Sequence, residues 1–200
     1  MKIILVSLFG YLLGSIPFAL VIGKVFYNTD VREHGSGNLG GTNAGRTLGK
    51  KAGVSVAVLD VLKATLAMAL VYPFAPEYVI YSGFFATIGH IFPVFAQFRG
   101  GKAVSTSFGF LLGISLFVTK QIGLHFFVPL SAFFISLFIS KMVSLSAIIA
   151  ITLASIILWF TCDNSQIPIA FTIINLIVIV RHKDNIRRIK NKTESKIKWL

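Results

Sequence analysis

Carboxylates and cysteine are what this chain has least of. Seven Asp and Glu stand against 19 Lys and Arg among 200 residues, a formal charge of +12. Cys162 is the single cysteine, which excludes an internal disulfide, and its apolar neighbours suit a small packing residue better than a nucleophile. No His, Cys and Asp cluster has metal-ligand spacing, so neither a metal nor a cofactor is expected. Charged residues make up 13% of the chain and hydrophobic ones 55%, with a mean hydropathy of +0.81, a balance that excludes an ordinary soluble domain. The chain reads as an integral membrane protein. Residues 3–25 are too long for a leader and lack a small-residue cleavage site, so a retained span is expected. No lipidation signal is present, and no internal repeat or second domain is visible.

The surplus of base raises nucleic acid as a partner, and the apolar runs answer it. Lys and Arg accumulate in the cytoplasmic loops of membrane proteins, so the charge needs no nucleic acid, and membrane lipid is the expected surrounding. Apolar stretches run over residues 3–25, 52–72, 78–95, 104–118, 122–139, 143–161 and 167–180. Their composition favours helices over a barrel, because backbone groups facing lipid must be satisfied within the segment. The expected fold is all-α, a polytopic helical membrane protein with about seven transmembrane helices. A perpendicular helix needs ~20 residues, so the fourth and seventh stretches must borrow from their flanks, or the count is lower. With seven spans, sixteen of the 19 Lys and Arg fall on one side and Lys2 and Lys120 on the other. That asymmetry puts the amino terminus outside and the tail, the segment 35–46 and the basic loop around residues 99–102 in the cytoplasm, where the expected fold class carries its active-site loops. Residues 1–200 form a single domain, of which 181–200 are a basic cytoplasmic tail.

Against this background residues 35–46, GSGNLGGTNAGR, are conspicuous. Gly35, Gly37, Gly40, Gly41 and Gly45 let the backbone turn tightly and aim several N–H groups at one point. Ser36, Asn38, Thr42 and Asn43 add neutral donors, and Arg46 a planar cationic fork suited to phosphate. A connector between helices uses the same residue types, but linkers seldom combine this many Gly with an Arg and no Pro. The segment also satisfies a dinucleotide fingerprint and, apart from Arg46, Walker A spacing. Neither sits in a βαβ unit, so both matches reflect shared phosphate chemistry and no shared fold.

A second polar group follows the third stretch: His90 and Pro93, then Arg99, Gly100, Gly101 and Lys102. Glycine N–H groups beside a cation at a helix start again suit an anion. His90 is open to a catalytic or a merely hydrogen-bonded role. In the tail, Arg181, Asn185 and Arg188 are spaced i, i+4, i+7, so a continued helix would set them on one face and complete a pocket; most of the tail lysines read as a patch for anionic lipid. Asp60 and Lys63, one turn apart, read as a structural pair or as a substrate contact. Gly14, Ser15, Ile16 and Pro17 read as a kink or a close helix contact.

The chain resembles the bacterial acyl-phosphate:glycerol-3-phosphate acyltransferases, the PlsY family, over nearly its whole length. Residues 36–46 resemble the motif SGNxGxTNxxR, residues 89–102 the motif GHxFPxFxxFxGGK, and residues 181–188 the motif RHxxNIxR. Ala103 and Ser105 depart from the Gly and Ala usual there, and Ala64 from Gly. The resemblance implies acyl transfer from acyl phosphate to the 1-hydroxyl of sn-glycerol 3-phosphate, giving lysophosphatidic acid and inorganic phosphate for phospholipid synthesis. It implies the bacterial inner membrane, with both phosphorylated molecules as partners and the acyl-phosphate-producing enzyme as a further candidate. Ser36, Arg46, His90, Lys102 and Asn185 are the implied catalytic set; Gly37, Asn38, Gly40, Thr42, Asn43, Gly100, Gly101, His182 and Arg188 are implied at the substrates. Either His90 or the glycerol phosphate group itself takes the hydroxyl proton. The residues five after His34, His90, His125 and His182 are Leu39, Phe95, Leu130 and Arg187, so an HxxxxD route through acyl-CoA is disfavoured. The alternative function is a membrane carrier for phosphorylated organic anions, which should show paired halves with interrupted helices.

Overall fold

A computed structural model describes residues 1–197; Lys198 of the basic tail lies outside the described residues. All seven apolar stretches are helical. The helices are α1 (Lys2–Gly14), α2 (Phe18–Tyr27), α3 (Gly41–Leu48), α4 (Lys50–Val71), α5 (Val79–Ile91), α6 (Val104–Ile114), α7 (Val128–Ser140), α8 (Val143–Thr161), α9 (Gln166–Arg181) and α10 (Lys183–Lys190). Among the described residues, five helical segments are long and apolar enough to cross a bilayer: Lys2–Tyr27, Lys50–Val71, Pro76–Ala96, Gly123–Ser140 and Val143–Thr161. A sixth is α9 with α10, bent by 57°, whereas Val104–Thr119 is too short. The expected seven is therefore corrected to five or six of spanning length. The two stretches that fall short are the fourth and seventh.

The first span is broken at Pro17, which has no N–H to continue the helix. The Leu20 N–H bonds to Pro17 O at 2.9 Å, so the Ile16 carbonyl lacks its helical donor. The second element of the expectation, close contact, also holds. A Cβ on Gly10 would lie 2.2 Å from Ser82 O, one on Gly14 2.0 Å from Ala86 O, and one on Gly89 2.2 Å from Tyr11 O. Small residues thus let α1 and α5 run side by side in the same direction. Buried Met68, Phe110, Leu111, Ile114, Ile151, Leu158 and Phe171 join α4, α6, α8 and α9, with the Phe110 and Phe171 rings 5.8 Å apart. Phe134, Ile135, Phe138 and Ile139 of α7 remain exposed, as lipid-facing side chains do.

The tail departs from a continued helix. It breaks at His182, α10 leaves at 57° to α9, and the chain after α10 returns so that Ile197 N–H reaches Lys141 O at 2.8 Å. At the opposite end of the bundle, His125 lies 2.8 Å from both Thr119 Oγ1 and Thr161 Oγ1, and the Lys120 ammonium sits 5.6 Å from the Tyr72 ring centre.

Candidate active site

The glycine-rich loop is held by its own side chains. Gly35 and Gly37 take φ of 59° and 69°, and Gly37 N–H bonds to His34 O at 3.0 Å. Asn43, in the first turn of α3, accepts from Ser36 N–H at 2.8 Å and Ser36 Oγ at 3.2 Å, and donates through Nδ2 to Val31 O at 2.8 Å. Asn38 Nδ2 donates to Ser36 Oγ at 3.1 Å. Upstream, Arg32 forks onto Asp30, with Nε 2.9 Å from Oδ1 and Nη2 2.6 Å from Oδ2. The Arg32 hydrogen bond holds the Asp30 carboxyl well below the usual carboxylate range.

The second segment closes on itself. Gly101 N–H bonds to His90 O at 3.1 Å, and Arg181 Nη2 donates to Gly100 O at 3.1 Å and Gly101 O at 3.2 Å. Gly101 sits against the His90 ring so closely that a Cβ would be 2.2 Å from Nε2. Lys102 then projects forward, donating to Asn185 Oδ1. Burial, reinforced by repulsion from Arg188, pushes the Lys102 ammonium below the ordinary lysine value.

The third segment comes from α9 and α10. His182 Nδ1 donates to Val178 O at 2.8 Å, leaving Nε2 as the acceptor on its other edge. Glu194 gathers the rest: Oε1 accepts from Ser144 Oγ and Asn185 Nδ2, each at 2.7 Å, and Oε2 from Arg188 Nε at 2.7 Å. Its side chain is 4% exposed. Burial would raise this carboxyl, but the bonds from Asn185, Ser144 and Arg188 outweigh it and leave the group below its ordinary value.

These segments enclose one cavity of about 640 Å³. Ser36, Asn38, Gly40, Thr42, Asn43, Arg46, His90, Lys102, His182, Asn185 and Arg188 all line it, with Arg181. Gly37, Gly100 and Gly101 lie outside that lining. The Gly101 N–H is bonded to His90 O, which fixes the chain just before Lys102. Val104, Phe133, Val143, Ala147 and Val180 add an apolar wall. Sequence reasoning missed Glu194 and Ser144, because nothing marks one carboxylate in a basic tail or one serine in an apolar helix. Asp60, open in sequence to a structural pair with Lys63 or a substrate contact, both pairs with Lys63 and lines the cavity. Among the described residues no three His, Cys, Asp or Glu side chains are grouped as metal ligands.

The convergence can be set beside known proteins. A family model described as glycerol-3-phosphate acyltransferase matches residues 4–192. The chain belongs to the glycerol-3-phosphate acyltransferase family. Relatives named glycerol-3-phosphate acyltransferase are 46% identical in Geobacillus kaustophilus, over 98% of this chain and 96% of that protein, and 47% identical in Bacillus subtilis, over 100% of both. Two solved structures of PlsY, an integral membrane glycerol 3-phosphate acyltransferase, share the fold. The glycerol 3-phosphate form gives a TM-score of 0.89 at 31% identity, covering 99% of this chain and 96% of that one. The lysophosphatidic acid form gives 0.86 at 30%, with the same coverage. For this glycerol-3-phosphate acyltransferase family member, the cations Arg46, Lys102, Arg181 and Arg188 all meet one cavity that also has an apolar side.

Proposed function

We propose that this protein transfers an acyl group from acyl phosphate to the 1-hydroxyl of sn-glycerol 3-phosphate, making lysophosphatidic acid and inorganic phosphate. The observation that carries the reading is a single cavity lined by five cations, Arg46, Lys102, Arg181, Lys183 and Arg188, together with an apolar wall. Two phosphorylated reactants need that much positive charge, and a long acyl chain needs the wall. The relatives solved in glycerol 3-phosphate and lysophosphatidic acid forms carry the names of an acceptor and its acylated product.

In this scheme Arg46, Lys102 and Arg188 neutralise phosphate. Ser36, Thr42, Asn185 and the α3 N-terminus position oxygens and stabilise charge developing on the carbonyl. The 1-hydroxyl oxygen bonds to the carbonyl carbon, the bond from that carbon to the phosphate oxygen breaks, and phosphate leaves with the electron pair. The hydroxyl proton goes to the phosphate of the acceptor. His90 is poorly placed to take it: Nδ1 accepts from the Lys63 ammonium at 3.0 Å, which leaves the ring proton on Nε2, against Gly101. His90 therefore shapes the path to Lys102. The excess of Lys and Arg at the cavity end supports a cytoplasmic active site in the bacterial inner membrane, within reach of an enzyme that makes acyl phosphate.

Purified protein given acyl phosphate and glycerol 3-phosphate should release phosphate only when both are present, and acyl-CoA in place of acyl phosphate should give no product. Phosphate uptake into sealed vesicles without acylated product would replace this reading with the carrier.

A further inference from the structure

Three acidic residues line the cavity, and Asp60 is the one that is buried while keeping an oxygen that no described residue bonds. Asp184 is exposed, and Glu194 has both oxygens engaged. Asp60 is 1% exposed. Its Oδ1 stands 2.8 Å from the Lys63 ammonium and 3.4 Å from His90 Nδ1, close in charge but aligned for a hydrogen bond with neither. No described residue donates to Oδ2. A carboxylate in a cavity built for phosphate repels the phosphate end of a ligand, so a hydrogen-bond donor is the group that suits this wall.

Lys63 keeps Asp60 in place. Its ammonium donates to Ile16 O at 2.9 Å, the carbonyl orphaned by the Pro17 break, and to His90 Nδ1 at 3.0 Å. The Asp60 wall comes from α4 and α5, with Ala57 and His90, whereas the apolar wall comes from α6 to α9. The reacting hydroxyl has to meet the acyl carbonyl beside the apolar wall. The hydroxyl left for the Asp60 wall is the one that does not react.

We propose that Asp60 accepts a hydrogen bond from the 2-hydroxyl of the polyol phosphate acceptor, which makes it a specificity-determining residue. The proposal rests on the acyl-transfer reading. It makes the acceptor bind in one sense: phosphate to the cations, the 2-hydroxyl to Asp60, and the 1-hydroxyl free to attack.

The test compares glycerol 3-phosphate with 3-hydroxypropyl phosphate, which keeps the phosphate and the reacting hydroxyl but lacks the 2-hydroxyl. The native protein should favour glycerol 3-phosphate in kcat/KM by roughly 10- to 100-fold, the range for a lost hydrogen bond to a charged group. Asp60→Ala should abolish that preference while leaving KM for acyl phosphate within about threefold. A native protein that uses both equally, or an Asp60→Ala protein that keeps the native preference, overturns the proposal. Should Asp60→Ala fail to fold with Lys63 unpaired, the double variant Asp60→Leu with Lys63→Met removes the buried pair together and carries the same comparison. Native protein that acylates neither compound sinks the acyl-transfer reading alone. Calorimetric binding of the two phosphates to native and variant protein then decides the Asp60 contact, with equal native affinities counting against it.

Discussion

At the scale of single residues, Lys102 is where charge and burial meet at the cavity. Because burial and Arg188 hold its ammonium below the ordinary lysine value, it loses its proton earlier than a solvated lysine as pH rises. We expect kcat/KM to fall on the alkaline side below the usual lysine range, and Lys102→Arg, if active, to move that limb upward because a guanidinium keeps its charge. An identical alkaline limb in both proteins would assign it to another group. Asn43 acts differently, since its amide is committed to Ser36 and Val31. Asn43→Ala leaves a Ser36 N–H and a Val31 carbonyl without their partner, so thermal unfolding in detergent should report a loss of about 2–3 kcal/mol together with a raised KM. Ala103 begins α6 at φ 64°, a conformation that disfavours any residue with a Cβ. Glycine is usual at this position in the resembled family, and Ala103→Gly should stabilise by up to about 1 kcal/mol with activity retained, read from the same unfolding measurement.

At the scale of elements, α1 and α5 touch through Gly10, Gly14 and Gly89, and the contact has no slack. A side chain at Gly14 meets the Ala86 backbone, so Gly14→Leu must push α1 away and with it the Ile16 carbonyl that receives Lys63. A drop of about 3 kcal/mol in stability is expected, seen as a lower midpoint in a detergent melt. The docking of α10 depends on Glu194 instead. Its folded-state value is depressed, so its contribution is fully present above the unfolded value and is lost as pH falls through the folded one. Acidification should lower the melting midpoint of native protein more steeply than that of Glu194→Gln, and equal slopes would remove Glu194 as the cause. These elements differ in how readable they are. The Gly14 to Pro17 break and the glycine-rich loop stand out because polar and flexible residues are rare in so apolar a chain. The return of the chain at Glu194 carries no local signal, being set by the contacts of Glu194 with Ser144 and of Ile197 with Lys141, 50 and 56 positions away. The approach of Lys63 to His90 across 27 positions is equally silent in sequence, although Asp60 and Lys63 themselves were visible as neighbours one turn apart.

At the scale of the whole molecule, charge and cavity share one end of the bundle. Arg46, Lys102, Arg181 and Arg188 surround the cavity, whereas Lys120, Tyr72, His125 and Thr161 cluster at the other end. Nothing in the fold requires this separation for packing, since lysines at either end of a span can reach water. On the proposed function it would matter for insertion, where a basic side tends to stay in the cytoplasm, and for chemistry, where a soluble phosphorylated acceptor would have to reach the cations without crossing lipid. Both requirements point the cavity the same way. Cysteine labelling in intact bacteria checks it. With Cys162 replaced by Ser, a cysteine at Lys120 should react with a membrane-impermeant maleimide added outside, and a cysteine at exposed Ser195, beside the cavity, should react only after the cells are opened. The reverse pattern would face the cavity outward and leave an intracellular polyol phosphate without access to the residues that fit it.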